Sequence, residues 1–262
     1  MKKYIKLYLT FLRINAMKRL SYRANFILGA ILVSFESVTV ILGIKIIFNH
    51  VGNIAGWSFE DMLVLAGIFM ITHALAWLFY KGGINDLDKI INNGNLDWHL
   101  IRPVDPQFII STQRIDLEDA ARSLVGIFII IYGLRNSELF TTLSYIPFFF
   151  ITLIAGTIVL YSFTLAVKTI SFKSIQGWST NSIFWRFHNL AQFPTDIYSG
   201  FIKTLYTFIF PLIFIATVPS KALTGRLTSQ LLIGSIVAAI VSFIISRLIW
   251  KYALRSYSSA SS

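Results

Sequence analysis

The chain has 262 residues, of which 55% are apolar and 13% charged, with a net charge of +11 and no cysteine. A soluble domain carries roughly 25% charged residues, so this chain has too little polar surface to dissolve, and the missing cysteines exclude disulfides, thiolate metal ligands and thiol nucleophiles. The basic excess sits beside apolar runs and does not interleave along one face, which reads as topogenic charge and argues against a nucleic-acid surface.

These features predict an all-α polytopic membrane protein, a single transmembrane domain over residues 1–255 with a mobile Ser-rich tail at 256–262. Lys2 to Arg23 carries seven positive charges and no acid. Tyr4, Ile5, Tyr8, Leu9, Phe11, Leu12 and Met17 form an apolar sector about a helix, the pattern of an interfacial helix on an anionic leaflet. The charges interrupt any continuous apolar core, and no small-residue cleavage site follows, so this is not a cleaved signal peptide.

Six transmembrane helices are predicted at about 26–48, 62–80, 120–134, 143–167, 204–218 and 231–250, judged against a hydrocarbon core of about 30 Å. The first carries Glu36 near mid-depth, where a carboxylate costs about 2.5–3.5 kcal/mol, so Glu36 is expected to be paired or neutral. Lys45 snorkels. The second carries His73, read either as a proton relay or as a buried hydrogen-bonding group. Glu36 and His73 are the candidate residues of a substrate path. The span at 204–218 holds Pro211 and is expected to bend.

Lys81 to Asp119 is the longest polar interruption. Ile84, Leu87, Ile90 and Ile91 recur at helical spacing, so Gly83–Asn93 reads as an amphipathic helix ended by Gly94. Leu96, Trp98, Leu100 and Ile101 then stand beside Asp97 and Arg102, and Pro103 and Pro106 stop the helix. This strip is expected to lie along the inner membrane face and be grasped by a soluble partner. Arg114, Glu118 and Arg122 stand four apart, which predicts an ion ladder on one helical face. A second inner region is expected at Lys168–Lys203, where Ile175, Trp178, Ile183, Phe184, Trp185, Phe187 and Leu190 suggest a helix half-sunk in the interface and ended before Pro194.

Six spans put both termini on one side. The segments on that side hold the N-terminal basic run, Lys81, Lys89, Arg102, Arg114, Lys168, Lys173, Arg186, Lys203, Arg247, Lys251 and Arg255; the opposite loops hold Arg135, Lys221 and Arg226. The positive-inside rule makes both termini cytoplasmic.

Reactive chemistry is missing from this pattern. The sequence has no H-E-x-x-H, no G-x-S-x-G and no phosphate-binding G-x-x-x-x-G-K-[ST], and His50, His73, His99 and His188 are dispersed. The expectation is a non-catalytic transport subunit that needs no metal or cofactor and draws any ATP hydrolysis from a separate chain. Two alternatives are a proton-coupled secondary transporter in which Glu36 or His73 titrates, and a non-transporting membrane scaffold.

The stretch INNGNLDWHLIRPVDPQF, from Ile91 to Phe108, followed by FPTDIYSGFIKTLYTFIFPLIFIATVPSKALTG, from Phe193 to Gly225, resembles the permease of bacterial ABC exporters of the ABC-2 type. The resemblance covers essentially the whole chain, with Phe193 where the family tends to a Tyr. It implies a bacterial inner-membrane dimer of permeases, identical or paired with a sister subunit, with two ATPase subunits beneath. It also implies that the short helix after the second span couples to the ATPase. The positions carrying that role here are Ile84, Leu87, Ile91, Gly94, Leu96, Asp97, Trp98, Leu100, Arg102 and Pro103.

Overall fold

A computed structural model of the protein describes residues 2–21, 23–136, 143–172 and 177–257. Lys173, Ile175, the turn from 137 to 142, the tail from 258 and the side chains of Arg23, Trp178 and Ile183 lie outside the described residues. Among the described residues the regular structure is helical, apart from one isolated bridge between Ile54 and Trp57.

Helix α1, Lys2–Ser21, lies against the end of the bundle that carries Asp88, with Ile5, Leu9 and Met17 of its apolar sector exposed. Tyr4 sets its ring edge-on to Phe108 at 4.8 Å, and Asn15 donates to the Gln113 carbonyl at 3.0 Å. Helix α2, Arg23–Phe48, packs loosely; only 11% of its most apolar window is buried.

Helix α3, Phe59–Ala76, starts on a capping box in which Ser58 and Asp61 satisfy each other's backbone N–H groups. It runs on through a π-helical turn, Trp77–Lys81, into α4, Gly82–Asn85, and α5, Leu87–Asn92, making a rod of 34 residues. Asp86 breaks the single amphipathic helix expected over Gly83–Asn93 into two, and Gly94, at φ 69°, ends it. Short helices α6, Leu96–Leu100, and α7, Pro106–Thr112, turn the chain back.

Helix α8, Ala120–Asn136, then runs antiparallel to α3. Gly67 and Gly126 face each other so closely that a Cβ on either would come within 2.6–2.7 Å of the other's carbonyl oxygen. Gly133 repeats the arrangement against the Glu60 carbonyl, 2.9 Å from where its Cβ would be. Small residues at such crossings let two backbones approach, the usual device of helix packing in lipid.

Helix α9, Ile146–Lys168, and the last helix, α13, Ser229–Arg255, pack side by side, with α10, Gly177–Leu190, α11, Gly200–Thr204, and α12, Thr217–Leu223, between them in sequence. Among the described residues four helices are long and apolar enough to cross a membrane: Phe26–Phe48, Phe59–Asn92, Ile146–Phe172 and Ser229–Arg255. A fifth is reached if Gly200–Ile209 and Leu212–Leu223, bent by 70°, are one span. The six long spans expected from sequence are therefore not all present in that form. Residues 120–134 fall in α8, which has 17 residues, and 204–218 is broken at Pro211, which offers no N–H to continue a helix.

The largest departure is at Lys168–Lys203, where α10 has Phe184 and His188 buried inside the bundle. Its Phe184 covers Lys81, and its His188 sits 4.9 Å from the His73 ring and 4.8 Å from Phe69. Beyond it, the Thr195 N–H reaches Thr217 Oγ1 at 3.2 Å, and Asp196 meets Trp57 Nε1 at 3.2 Å and Lys221 Nζ at 2.7 Å. Trp57 and Lys221 belong to the two loops assigned to the opposite side, so the chain traverses the bundle between Gly177 and Asp196. The hydropathy of this stretch misleads because its aromatic face packs on protein, which leaves Arg186 and Asn189 on an exposed face.

Candidate functional site

The Asp88 end of the bundle gathers most of the charged groups, and they divide the predicted coupling strip in two. Ile84, Leu87 and Leu96 are fully buried and Ile91 is 9% exposed, all within one cluster that includes Leu160, Leu165, Phe184 and Trp250. The apolar face that periodicity picked out is thus the protein's own core.

Asp88, in the same turn, accepts from Lys168 Nζ at 2.8 Å and from the Ser171 hydroxyl, tying α5 to the last turn of α9. Gly82 and Gly83 bring α4 against the α7 region. A Cβ on Gly83 would be driven into the Ile110 carbonyl oxygen and would lie 3.0 Å from that of Ser111.

The other half of the strip faces outward. Trp98 is 64% and Ile101 72% exposed, and Arg102 and Pro103 are exposed beside them. Gly94, Asp97 and Leu100 are intermediate. Two ties hold this tip in shape: His99 Nε2 lies 3.0 Å from Gln113 Oε1, and Lys3 Nζ of α1 donates to the Pro103 carbonyl at 2.9 Å. A large aromatic, an aliphatic and an arginine exposed on a rigid turn make the composition of an interface anchor.

The ion ladder of Arg114, Glu118 and Arg122 does not form, because residues 113–119 are not α-helical and the four-residue spacing has no helical face to act on. Arg114 pairs with Asp86 at 3.0 Å and Asp116 at 3.5 Å. Arg19 of α1 bridges Asp116 and Glu118. At the tip's base Arg247 of α13 grips Asp105; burial alone would raise that carboxyl's pKa, but the Arg247 hydrogen bond and charge hold it below the ordinary value.

Glu36 and His73 stand at two ends of one network. Glu36 accepts from Arg122 Nη2 at 2.9 Å, Arg122 Nε donates to Asp119 Oδ1 at 3.1 Å, and that oxygen lies 3.9 Å from His73 Nε2. Trp77 Nε1 donates to the same His73 nitrogen at 2.8 Å. Glu36 is paired, as its depth demands, yet its side chain is 64% exposed on the loosely packed α2.

Beside this network lies a group that sequence reasoning passed over. Lys81 is 1% exposed, with its ammonium 3.4 Å from the Phe184 ring centre and 3.9 Å from that of Trp185, and it has no hydrogen-bond partner among the described residues. Its position in a π-helical turn, a feature frequent at functional sites, was the available structural signal; the sequence offered only a lysine next to a glycine pair.

Helices of bilayer length and buried ion pairs inside an apolar bundle are those of a multi-pass membrane protein. The family described as ABC-2 family transporter protein matches residues 34–261. The chain belongs to that family, and it is a transport permease. No curated protein and no solved structure matches it significantly.

Proposed function

We propose that this chain is the membrane-spanning subunit of an ATP-driven exporter, non-catalytic itself, which takes its energy from two separate ATPase subunits docked on the Trp98–Pro103 turn. The carrying observation is that turn, exposed at Trp98, Ile101 and Arg102 while its base is pinned by Asp88 to α9. The buried positions Ile84, Leu87, Ile91 and Leu96 act in this reading as the turn's foundation, with contact left to Trp98, Ile101, Arg102 and Pro103.

The reading keeps six crossings but reassigns the fifth. They are α2, the α3–α5 rod, α8, α9, α10 and α13, with residues 200–223 as a hairpin that dips in and returns on the Trp57 side. Both α1 and the end of α13 lie at the Asp88 end, through Tyr4 on Phe108 and Arg247 on Asp105. The N-terminal basic run, Lys89, Arg102, Arg114 and Lys251 share it, so that end is cytoplasmic in a bacterial inner membrane. A second permease, identical or a sister, completes the path.

The test is the double substitution Trp98→Ala with Ile101→Ala. Exposed side chains of this kind cost little stability, so the variant should insert and fold while losing ATPase co-purification and export. Unchanged co-purification together with unchanged export overturns the proposal. A second reading, proton-coupled transport through Glu36 and His73, is favoured by the network that joins them through Arg122 and Asp119. It requires export that survives ATP depletion and stops when the proton gradient is collapsed.

A further inference from the structure

A cavity of about 740 Å³ opens between α1, the π-helical turn after α3, α7, α9 and α13, lined among others by Tyr8, Phe79, Tyr80, Gln107, Tyr161 and Arg247. That size lies in the range of sites for small organic ligands, roughly 300–1,000 Å³. Its polarity is graded along the bundle axis. Arg247 and Asp105 stand at the Asp88 end, whereas Phe243, one turn before Arg247 on α13, and Ile158 of α9 stand deeper.

The charged lining is one arginine and one carboxylate, and the arginine is only partly used. Arg247 spends Nη1 on Asp105 Oδ1 at 3.1 Å and on Gln107 Oε1, and Nη2 on Asp105 Oδ2. A guanidinium has five N–H donors in a planar fork. The pair formed by Nε–H and the second Nη2–H has no acceptor among the described residues. Asp105 has already oriented the group, so this side-on fork is set for an oxyanion with two oxygens, the geometry in which arginine binds phosphate. Tyr80 also lines the cavity; it is 5% exposed, with its hydroxyl shut away from solvent and without a hydrogen-bond partner among the described residues.

We infer that this cavity binds a phosphodiester-headed amphiphile, with the phosphate on the free fork of Arg247 and the first part of the acyl chains between Phe79, Phe108, Ile158 and Phe243. The apolar walls select an amphiphile over a free phosphate ion. The site does not rest on where an ATPase docks, and it stands if the Trp98 turn proves to have another role.

Native mass spectrometry of the full chain released from detergent tests it. The probes are dioleoylphosphatidylcholine, dioleoylglycerol and inorganic phosphate. Phosphatidylcholine has no net charge, so its retention is not a response to the protein's charge of +11. One phosphatidylcholine per chain should be retained, dioleoylglycerol should bind at least about tenfold more weakly, the worth of one hydrogen bond to a charged group, and inorganic phosphate should not displace the lipid. Arg247→Lys keeps the pairing charge but loses the fork, and Ile158→Trp fills the apolar end; each should reduce retention by a similar factor. Equal retention of dioleoylglycerol, displacement by inorganic phosphate, or wild-type retention in both variants overturns the inference. The headgroup comparison needs no variant, so it decides the matter even if a substituted chain fails to fold.

Discussion

The tie between Asp88 and Lys168 is the most exacting test of how the Trp98 turn is held. Lys168 is 1% exposed, its ammonium lies 2.8 Å from Asp88 Oδ2, and its other acceptor, the Asn85 carbonyl, is 3.5 Å away. Asp88→Leu leaves that ammonium buried with one distant acceptor and removes the partner of the Ser171 hydroxyl. Breaking a buried pair from one side costs about 3–5 kcal/mol, which for a chain of this size corresponds to a loss of roughly 10 °C in Tm. Lys168→Met is milder, because Asp88 keeps Ser171 and is itself 11% exposed at the side chain. A loss of about 1–3 kcal/mol is expected there. The double variant replaces the pair by two apolar side chains of similar volume and should return to within about 1–2 kcal/mol of the parent. Thermal unfolding in detergent, followed by intrinsic tryptophan fluorescence, measures all three. A loss under about 1 kcal/mol for Asp88→Leu, or losses that simply add in the double variant, would refute the claim that this pair anchors the turn.

Three further outcomes follow from named contacts. Gly83→Ala should abolish the folded, monodisperse species on size-exclusion chromatography, because its Cβ meets the Ile110 carbonyl; Gly43→Ala, with nothing within 4 Å, should be neutral or gain up to about 1 kcal/mol in α2. Lys81→Met should leave Tm unchanged or raised, since an unpaired buried ammonium costs more than an apolar isostere, and a fall of several degrees would show that the aromatic rings hold the charge favourably. Stability should fall in acid. Burial raises the carboxyls of Asp105 and Asp196, but hydrogen bonds and charge from Arg247 and Lys221 outweigh it and hold both below their ordinary values. A lowered carboxyl stabilises fully above its ordinary value of about 4 and loses that contribution as pH falls through the lowered one. Tm measured from pH 6 to pH 3 should therefore bend downward below about pH 4, with a shallower bend in Lys221→Met, and an unchanged bend there would remove Asp196 from the explanation.

Much of this architecture was legible in the residues, and its failures have physical causes. The one-sided basic pattern of Lys2–Ser21 gave the α1 helix, and Gly94 and Pro106 marked turns the chain makes. Periodicity correctly put Ile84, Leu87 and Ile91 on one face. It reports that a face is buried, however, and says nothing of whether a partner or the chain's own α9 and α10 bury it. The same limit hid the path of α10. Arg186 and Asn189 lie on its exposed face while Phe184 and His188 are buried against the α3–α5 rod, so hydropathy reads a surface helix where the structure has one face packed into the bundle. Ion pairs such as Asp88–Lys168 and Arg247–Asp105 join residues 80 and 142 positions apart, beyond any spacing rule. Of the two candidate path residues, Glu36 was expected to be paired or neutral and is paired, but its joining to His73 runs through Arg122, which sequence spacing had assigned to the ladder, and Asp119, to which it gave no role.

The distribution of these ties suggests which parts of the bundle move together. Helix α9 is fixed to α5 at Lys168, to α7 through Tyr161, whose hydroxyl accepts from Gln107 Nε2 at 2.7 Å, and to the bent segment at Gly156, which leaves no room for a Cβ beside the Phe214 carbonyl. A displacement of the Trp98 turn in the proposed coupling is thus delivered to α9 and, by that rod, to the segment on the far side. Helix α2 is outside this frame. It is mostly exposed, and among the described residues its one ion pair to the bundle is Glu36 with Arg122. Close-packed interfaces switch between discrete arrangements and do not deform continuously, so the seam with the least packing yields first. Here that seam runs along α2, and its movement away from the bundle would part the Arg122 pair and free the already exposed carboxylate of Glu36.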